Sequence, residues 1–347
     1  MTLKVAIASF AHTHAWSYAS LLGAMPDVEV LSSDPDGASA PDAGPRGAEL
    51  AAKLDLPYVD TYDELFAWGP DAVVVTSENA LHRELVERAA AVGAHVLCEK
   101  PLATEVADGE AMLAACEAAG TILMVAYPVR FSPSYLRLRA SVEAGLLGDV
   151  FAVLGTNNGK IPFAARQWFT DAKLAGGGAL VDHTVHCADL IDGLTGGASA
   201  TRVYAAANHV LHQDKGVEVE TGGLVTINYD NGLLATIDCS WSVPDNGPTW
   251  GGVYLQVTGT NGSVEIEPFL PHVTGTDASG EAYLPIHDNF DVSMLSTFLT
   301  AVRASGPATA GTTPAVVPQP DGAVGLRTLR IVDAARRSAA SGQPVDL

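Results

Sequence analysis

Short apolar runs alternate with amphipathic stretches through the first third of the chain. Val5–Ser9, Val28–Ser32, Ala72–Thr76, Ala94–Cys98 and Thr121–Ala126 read as buried strands, with a short further strand at Val59. Between them, Trp16–Met25, Gly47–Leu54, Tyr62–Trp68, Leu81–Val92 and Val106–Ala119 read as helices. Pro26, Gly93 and Gly120 stop three of these helices, and Asp60-Thr61 is placed to cap a fourth. Strands alternating with helices predict an α/β fold with a doubly wound parallel sheet.

The pattern changes near residue 130. After a helix at Pro133–Ala144 and the turn Gly145–Gly148, strands dominate: Val150–Asn157, Ala200–Val210, Glu218–Tyr229, Leu233–Val243, Tyr254–Gly259 and Ser263–Ile266. Asp230-Asn231-Gly232 and Thr260-Asn261-Gly262 are hairpin turns, so a large open antiparallel sheet is expected. One helix, Leu180–Leu194, interrupts it. Helices at Val292–Ala304 and Gly322–Ala340 flank a Pro/Ala/Thr-rich surface crossing at 306–320. The expected division is a dinucleotide-binding domain over 1–127 and an α+β substrate-binding and oligomerisation domain over 128–347, with the last helix free to pack back on the first.

Composition narrows the classes. The 347 residues include 48% hydrophobic residues and carry a net charge of −21, a field that repels nucleic acid. No apolar run approaches the ~20 residues of a membrane helix. Cys98, Cys116, Cys187 and Cys239 form no Cys-x-x-Cys pair, which fits a reducing cytoplasm and no disulfide framework.

The candidate chemistry lies at strand ends. In a parallel sheet these face the ligand crevice. The first strand opens into Ser9-Phe10-Ala11-His12-Thr13-His14 where a G-x-G-x-x-G turn would cradle pyrophosphate. All three glycines are replaced, but Ser9 and Ala11 are small, and His12 and Thr13 can donate. Asp34 ends the second strand. There it can accept both ribose hydroxyls and repel a 2′-phosphate, so NAD(H) is preferred, with NADP(H) left open. Thr76-Ser77-Glu78-Asn79, with His82 beyond, follows another strand; Ser77 or Asn79 could equally cap the next helix. Glu99-Lys100-Pro101 follows the next, and Lys100 is one of six lysines.

The strongest signal is Gly176-Gly177-Gly178 followed by Asp182, His183, His186 and Asp189. The glycines predict a mobile turn into a helix. Asp182 and His186 share a face of it, where a carboxylate can orient an imidazole that takes a hydroxyl proton at neutral pH.

With these residues the chain resembles the Gfo/Idh/MocA oxidoreductases over nearly its whole length. The resemblance rests on Leu81-His82, His95 to Leu102, Arg130-Phe131-Ser132-Pro133, Gly145 to Gly148, Trp168, Gly176 to His186 with Asp189, and Ser338-Ala339. It implies a nicotinamide cofactor and hydride exchange with a sugar, polyol or related alcohol or ketone. Lys100 would bind the reacting oxygen, Asp182 would hold substrate and histidine, and His186 would be the general acid or base. Ser9, Phe10, Ala11, His12, Thr13, Asp34, Thr76, Ser77, Asn79, His82, Glu99, Lys100 and Arg130 are the expected cofactor contacts. Tyr127, Arg166, Trp168 and His183 are expected toward substrate, with Tyr283 and His287 as further specificity candidates. Many relatives have an apolar residue at His183 and glycine at Thr184. No metal is expected, and a homodimer or homotetramer through the open sheet is.

Three rival readings remain. His12-Thr13-His14 also looks like the paired metal ligands of barrel-shaped amidohydrolases, which would make a metal-dependent hydrolase with strand–helix alternation throughout. A non-catalytic sugar- or nucleotide-binding protein is another. A third keeps fold and cofactor but oxidises only transiently to break a glycosidic bond, its sign being tightly held NAD.

Overall fold

The computed structural model describes residues 2–38, 40, 44–270, 272–277, 280–285 and 288–347. The chain folds into two compact units. The first comprises Met1–Ala126, Pro162–Gly176 and Asp291–Leu329; the second comprises Tyr127–Ile161, Gly177–Phe290 and Arg330–Leu347. The division at residue 127 is thus crossed twice, because 162–176 and 291–329 cluster with the first unit. The last helix, Gly322–Ser341, is shared along its length.

In the first unit β1 (Leu3–Ala8), α1 (Ala15–Gly23), β2 (Val28–Ser33), α2 (Gly47–Lys53), α3 (Tyr62–Ala67), β3 (Ala72–Val75), α4 (His82–Ala91), β4 (His95–Cys98), α5 (Val106–Ala119) and β5 (Leu123–Val125) follow the expected alternation. The sheet is parallel, in the order β2-β1-β3-β4-β5. Tyr58 bridges Ser32 in parallel beyond β2. Counting that bridge, the order is the 3-2-1-4-5-6 of dinucleotide-binding folds. Val5, Ala6, Ile7 and Ala8 are all fully buried, as are Ala72, Val73 and Val75. Helices cover both faces, so these strands read as unbroken apolar runs. Thr61 caps α3: its hydroxyl accepts from the Glu64 amide (3.2 Å) and donates to the Glu64 carboxylate (2.9 Å).

The second unit is built on a seven-stranded sheet of β6 (Val150–Gly159), β7 (Ala200–Asn208), β8 (Gly222–Tyr229), β9 (Leu234–Ser240), β10 (Gly251–Gly259), β11 (Gly262–Ile266) and, after a two-stranded ribbon of β12 (His272–Asp277) and β13 (Gly280–Pro285), β14 (Val345–Asp346). Its order is β11-β10-β6-β9-β8-β7-β14. The sheet is not wholly antiparallel as expected: β6 and β9 pair in parallel, because the chain between them runs out through a helix and returns by the β7–β8 pair. Turns at Asp230-Asn231-Gly232 and at Thr260-Asn261 close the β8–β9 and β10–β11 hairpins where expected.

The helix Ala179–Thr195 covers one face of this sheet. Leu180, Cys187, Leu190 and Ile191 pack with Val153, Val203, Val225, Ile237 and Leu255 in one core. On the open face Leu154, Tyr204, Leu224 and Leu234 are exposed, with Thr226 and Asp238 among them. An open parallel sheet and a separate mixed sheet are not the closed barrel that the amidohydrolase alternative requires. No helix of the described residues is long and apolar enough to cross a membrane. All four cysteines are free and buried.

Candidate active site

In the first unit the strand order reverses between β1 and β3, and a ligand crevice is expected outside their C-terminal ends. The segment Ser9–His14 occupies that position. The Thr76 hydroxyl donates to the Ser9 carbonyl (2.7 Å), and the His12 amide donates to the Thr76 carbonyl (2.8 Å). Ser9 adopts φ 77°, in the left-handed region. The first fingerprint position therefore keeps a backbone shape that glycine adopts freely and serine at a cost of about 1–2 kcal/mol. Its side chain offsets some of this cost, since the Ser9 hydroxyl accepts from the Ala11 amide (3.1 Å) and donates to Asp34 Oδ1 (3.0 Å).

Asp34 is buried and fully engaged. Arg46 reaches Oδ1 through Nη2 (2.8 Å) and Oδ2 through Nε (3.1 Å); the Gly47 amide adds a bond to Oδ2 (2.9 Å). With Ser9, four donors fill the acceptor positions of one carboxylate. The expectation that Asp34 accepts both ribose hydroxyls is corrected on this point: in this structure those positions belong to Arg46, Gly47 and Ser9. Burial works to raise the Asp34 carboxyl, but Arg46 and the other donors hold it below its ordinary value. Arg46 Nη1 also donates to Glu78 Oε1 (2.8 Å), a pairing that the sequence reading missed.

Arg166 and Trp168, expected toward substrate, instead grip the first turn. Arg166 Nε and the Trp168 indole both donate to the Ala11 carbonyl (2.9 and 3.0 Å), and Arg166 Nη2 reaches the Phe10 and Pro45 carbonyls. Trp168, Phe169 and Ala175 form a small buried cluster with Ala11. Asn79 does not cap its helix; its amide donates to the Ala175 carbonyl (2.8 Å), and Ser77 bonds the Glu78 carbonyl. Thr13 stays partly exposed on the turn.

At the end of β4, Glu99 and Lys100 are both buried. Glu99 Oε1 lies 3.0 Å from His14 Nδ1, and its Oε2 lies 3.7 Å from His12 Nε2. Burial alone would raise the Glu99 carboxyl, but His12, His14 and Lys100 hold it far below the usual range. Burial tends to lower His14, and Glu99 more than reverses this. His82 is fully buried and kept neutral by that burial. Its Nδ1 faces the Pro101 and Leu102 carbonyls (3.1 and 3.2 Å) and must donate, which anchors the segment that carries Lys100.

In the second unit the site is the start of the helix Ala179–Thr195. Every residue from Ala179 to Asp192 is buried except Asp182 and His186. The two lie one turn apart, so two titratable side chains alone break an otherwise buried helix surface. The Tyr127 ring stands edge-on to His186, 6.1 Å between centroids. Asp182 contacts His183 and Trp241. Its Oδ2 lies 3.3 Å from His183 Nε2 and accepts from the Trp241 indole at 3.4 Å. His183 is fixed in turn by Asn157, whose carbonyl faces His183 Nδ1 (2.9 Å) and whose amide donates to the His183 carbonyl (3.2 Å).

The glycines before this helix do not form a loose turn. The Gly178 amide donates to Glu220 Oε1 (2.6 Å), and the Ala179 amide donates to the Glu220 carbonyl (2.9 Å). A Cβ on Gly178 would stand 2.0 Å from the Glu220 carbonyl oxygen, and Gly177 has φ 152°. The triple glycine lets residue 220 close on the helix start. Nothing in the sequence near either segment flags that contact.

Arg130, expected at the cofactor, is occupied within the second unit. Its Nε and Nη2 reach the two Asp189 oxygens (3.1 and 2.7 Å), and Nη2 lies 3.5 Å from Asp192. Tyr283 lies on β13, and His287 falls outside the described residues.

Comparison with known proteins places these features in a family. Residues 32–127 match the oxidoreductase family with an NAD-binding Rossmann fold, and residues 135–265 match the Gfo/Idh/MocA C-terminal domain. The D-xylose 1-dehydrogenase (NADP(+)) 2 of Haloferax volcanii is 31% identical over 312 residues, 87% of this chain and 89% of that protein. The 1,5-anhydro-D-fructose reductase of Ensifer adhaerens is 28% identical over 87% of this chain and 88% of that protein. A solved structure of GenD2 from gentamicin A biosynthesis, in complex with NAD, superposes with a TM-score of 0.84 at 23% identity, covering 100% of this chain and 96% of that one; at that identity it speaks for the fold. Matched over both domains, the chain belongs to the Gfo/Idh/MocA oxidoreductases, whose first domain is an NAD-binding Rossmann fold.

Proposed function

We propose that this protein transfers a hydride between a nicotinamide dinucleotide and a carbon of a sugar, polyol or related alcohol or ketone. The observation that carries the reading is the helix Ala179–Thr195, buried along its first fourteen residues except at Asp182 and His186. Solvent-reaching acid–base groups on an otherwise sealed helix are placed to meet a ligand rather than to stabilise a core.

In this reading His186 exchanges the hydroxyl proton, and the Lys100 ammonium holds the reacting oxygen as charge develops on it. The cofactor accepts or delivers the hydride. Asp182, tied to His183 and Trp241, fixes substrate hydroxyls beside His186. The named activities of the Haloferax and Ensifer relatives support a carbohydrate substrate. NAD(H) is the preferred cofactor: Asp34 and Glu78 place two carboxylates against one guanidinium at the end of β2, a net negative charge that disfavours a 2′-phosphate. The exposed Leu154, Tyr204, Leu224 and Leu234 support a homodimer or homotetramer through the open sheet face. Four free buried thiols fit work in a reducing cytoplasm.

The test is a screen of aldoses and polyols with NAD and NADP, followed by Lys100→Ala and His186→Ala on the best substrate. Each variant is expected to lose about 10²–10⁴-fold in kcat while its melting temperature stays near wild type. Near-wild-type rates in both would sink the assignment.

A further inference from the structure

In His12-Thr13-His14, His14 has no part in the oxidoreductase reading, and it stands beside His12 and Glu99, which that reading expects as cofactor contacts. The motif stands where glycine amides would cradle a phosphate. Its two imidazoles and Glu99 converge from the C-terminal ends of β1 and β4. His14 Nδ1 is 3.0 Å from Glu99 Oε1, and His12 Nε2 is 3.7 Å from Glu99 Oε2. One donor atom from each of the three side chains lies within 4.8 Å of the others, and His12 and Glu99 are buried. A tetrahedral first-row ion with bonds of about 2.0–2.1 Å spaces its ligand atoms about 3.3–3.4 Å apart; His14 lies 3.0 Å from one Glu99 oxygen and His12 3.7 Å from the other, so the side chains must draw together around one oxygen to share an ion.

We propose that His12, His14 and Glu99 form a binding site for one divalent transition-metal ion. Two imidazoles and a carboxylate are the donor set that zinc and its neighbours in the first row take, whereas magnesium and calcium prefer oxygen alone. The surrounding groups orient the three side chains. The Lys100 amide donates to Glu99 Oε2 (3.1 Å), the Tyr18 hydroxyl lies 3.3 Å from His14 Nδ1, and the His14 amide meets His12 Nδ1 at 3.2 Å. That last contact leaves the neutral ring's proton on Nε2, facing Glu99, so uptake of an ion at Nε2 requires Nδ1 to take over that proton and release the His14 amide. The Trp168 and Phe169 rings stand 6.2 and 5.3 Å from His12 and shield the site from solvent on that side. Lys100 is the charge that opposes a cation here, and Asp291 offsets it through its field at His14. An ion held by three protein ligands keeps an open position, as in sites that bind a further oxygen ligand. It would bring to this turn the positive charge that glycine amides supply in the usual fingerprint.

The site is tested on the whole protein without cofactor or substrate, so its outcome is independent of the proposed reaction. EDTA-treated protein is titrated with zinc chloride by calorimetry, and with cobalt(II) by visible absorption as the report on coordination. One equivalent of zinc at a Kd of about 10 µM or below, with cobalt d–d bands, is the expected result. His14→Ala, His12→Ala and Glu99→Gln are each expected to weaken binding by at least about 100-fold, more than loss of an outer partner costs. The His14 side chain is partly exposed, so His14→Ala keeps the test alive if the buried Glu99→Gln fails to fold. No stoichiometric uptake at about 1 mM zinc, or uptake that survives His14→Ala unchanged, would overturn the site.

Discussion

Each unit buries one arginine between two carboxylates, yet the carboxylates behave in opposite ways. In the first unit Arg46 lies between Asp34 and Glu78, with Asp34 below its ordinary range. In the second unit Arg130 lies between Asp189 and Asp192, and burial pushes Asp189 up to about 7 despite the guanidinium beside it. Desolvation opposes the charged form in both. The difference lies in the remaining donors. The Gly47 amide and Ser9 hydroxyl complete the shell around Asp34, while Asp189 has Arg130 and the repulsion of Asp192. A buried guanidinium alone does not keep a carboxylate ionised; a filled hydrogen-bond shell does. The first arrangement locks the end of β2 beside the first turn. The second leaves a group near neutrality on the helix that carries His186.

The largest break in this comparison comes from Asp34→Ala. It strands Arg46 with a single carboxylate and strips the Ser9 and Gly47 donors of their acceptor. A loss of about 3–5 kcal/mol in urea unfolding is expected, together with weaker NADH binding. Next comes Gly178→Ala, which acts through shape rather than charge. Its Cβ must push back the Glu220 carbonyl, so about 1–3 kcal/mol is expected, with a lower kcat as the start of the helix that carries Asp182 and His186 shifts. Arg130→Met is expected to cost less at pH 6 than at pH 8, because Asp189 can take up a proton once its partner is gone.

The smallest effect sharpens the contrast through pH. Asp189 has a folded-state pKa raised from 3.8 to about 7, so the native protein holds a proton that the unfolded chain has released. Its contribution is most favourable below pH 4 and declines as pH rises to about 7, by at most about 1.4 kcal/mol per pH unit. Asp34 and Glu99 are depressed instead, so their contributions are present above pH 4–4.5 and fade as pH falls. Denaturant titrations of wild type and Asp189→Asn from pH 5 to 8 should show the wild type losing ground to the variant as pH rises. Parallel curves would contradict the raised Asp189.

The sequence revealed what local pattern encodes. Strands Ala72–Val75 and His95–Cys98 were legible because burial on both faces demands unbroken apolar runs. Helix ends at Gly23, Ala119 and Ser341 came within two residues of their signals. Hairpins after Asp230 and Gly259 followed from their Asn-Gly turns. Lys100, Asp182 and His186 stood out by residue type and setting. What stayed hidden is what distant residues decide. The parallel β6–β9 pairing joins strands separated by a helix and a hairpin. Arg166 and Trp168 reach back to Ala11 across about 155 positions. Glu220 meets Gly178 from 42 residues away. Asp182 and His183 are tied to Trp241 and Asn157, which lie 59 and 26 residues away. No periodicity in one chain announces such partners.

The first turn of this nicotinamide oxidoreductase has lost its glycines, and Ser9 keeps the left-handed backbone of the first position. The most direct measurement is a fluorescence titration of the purified protein with NADH and with NADPH. Saturable NADH binding, tighter than NADPH binding, is the expected result. Failure to bind either dinucleotide would contradict the account.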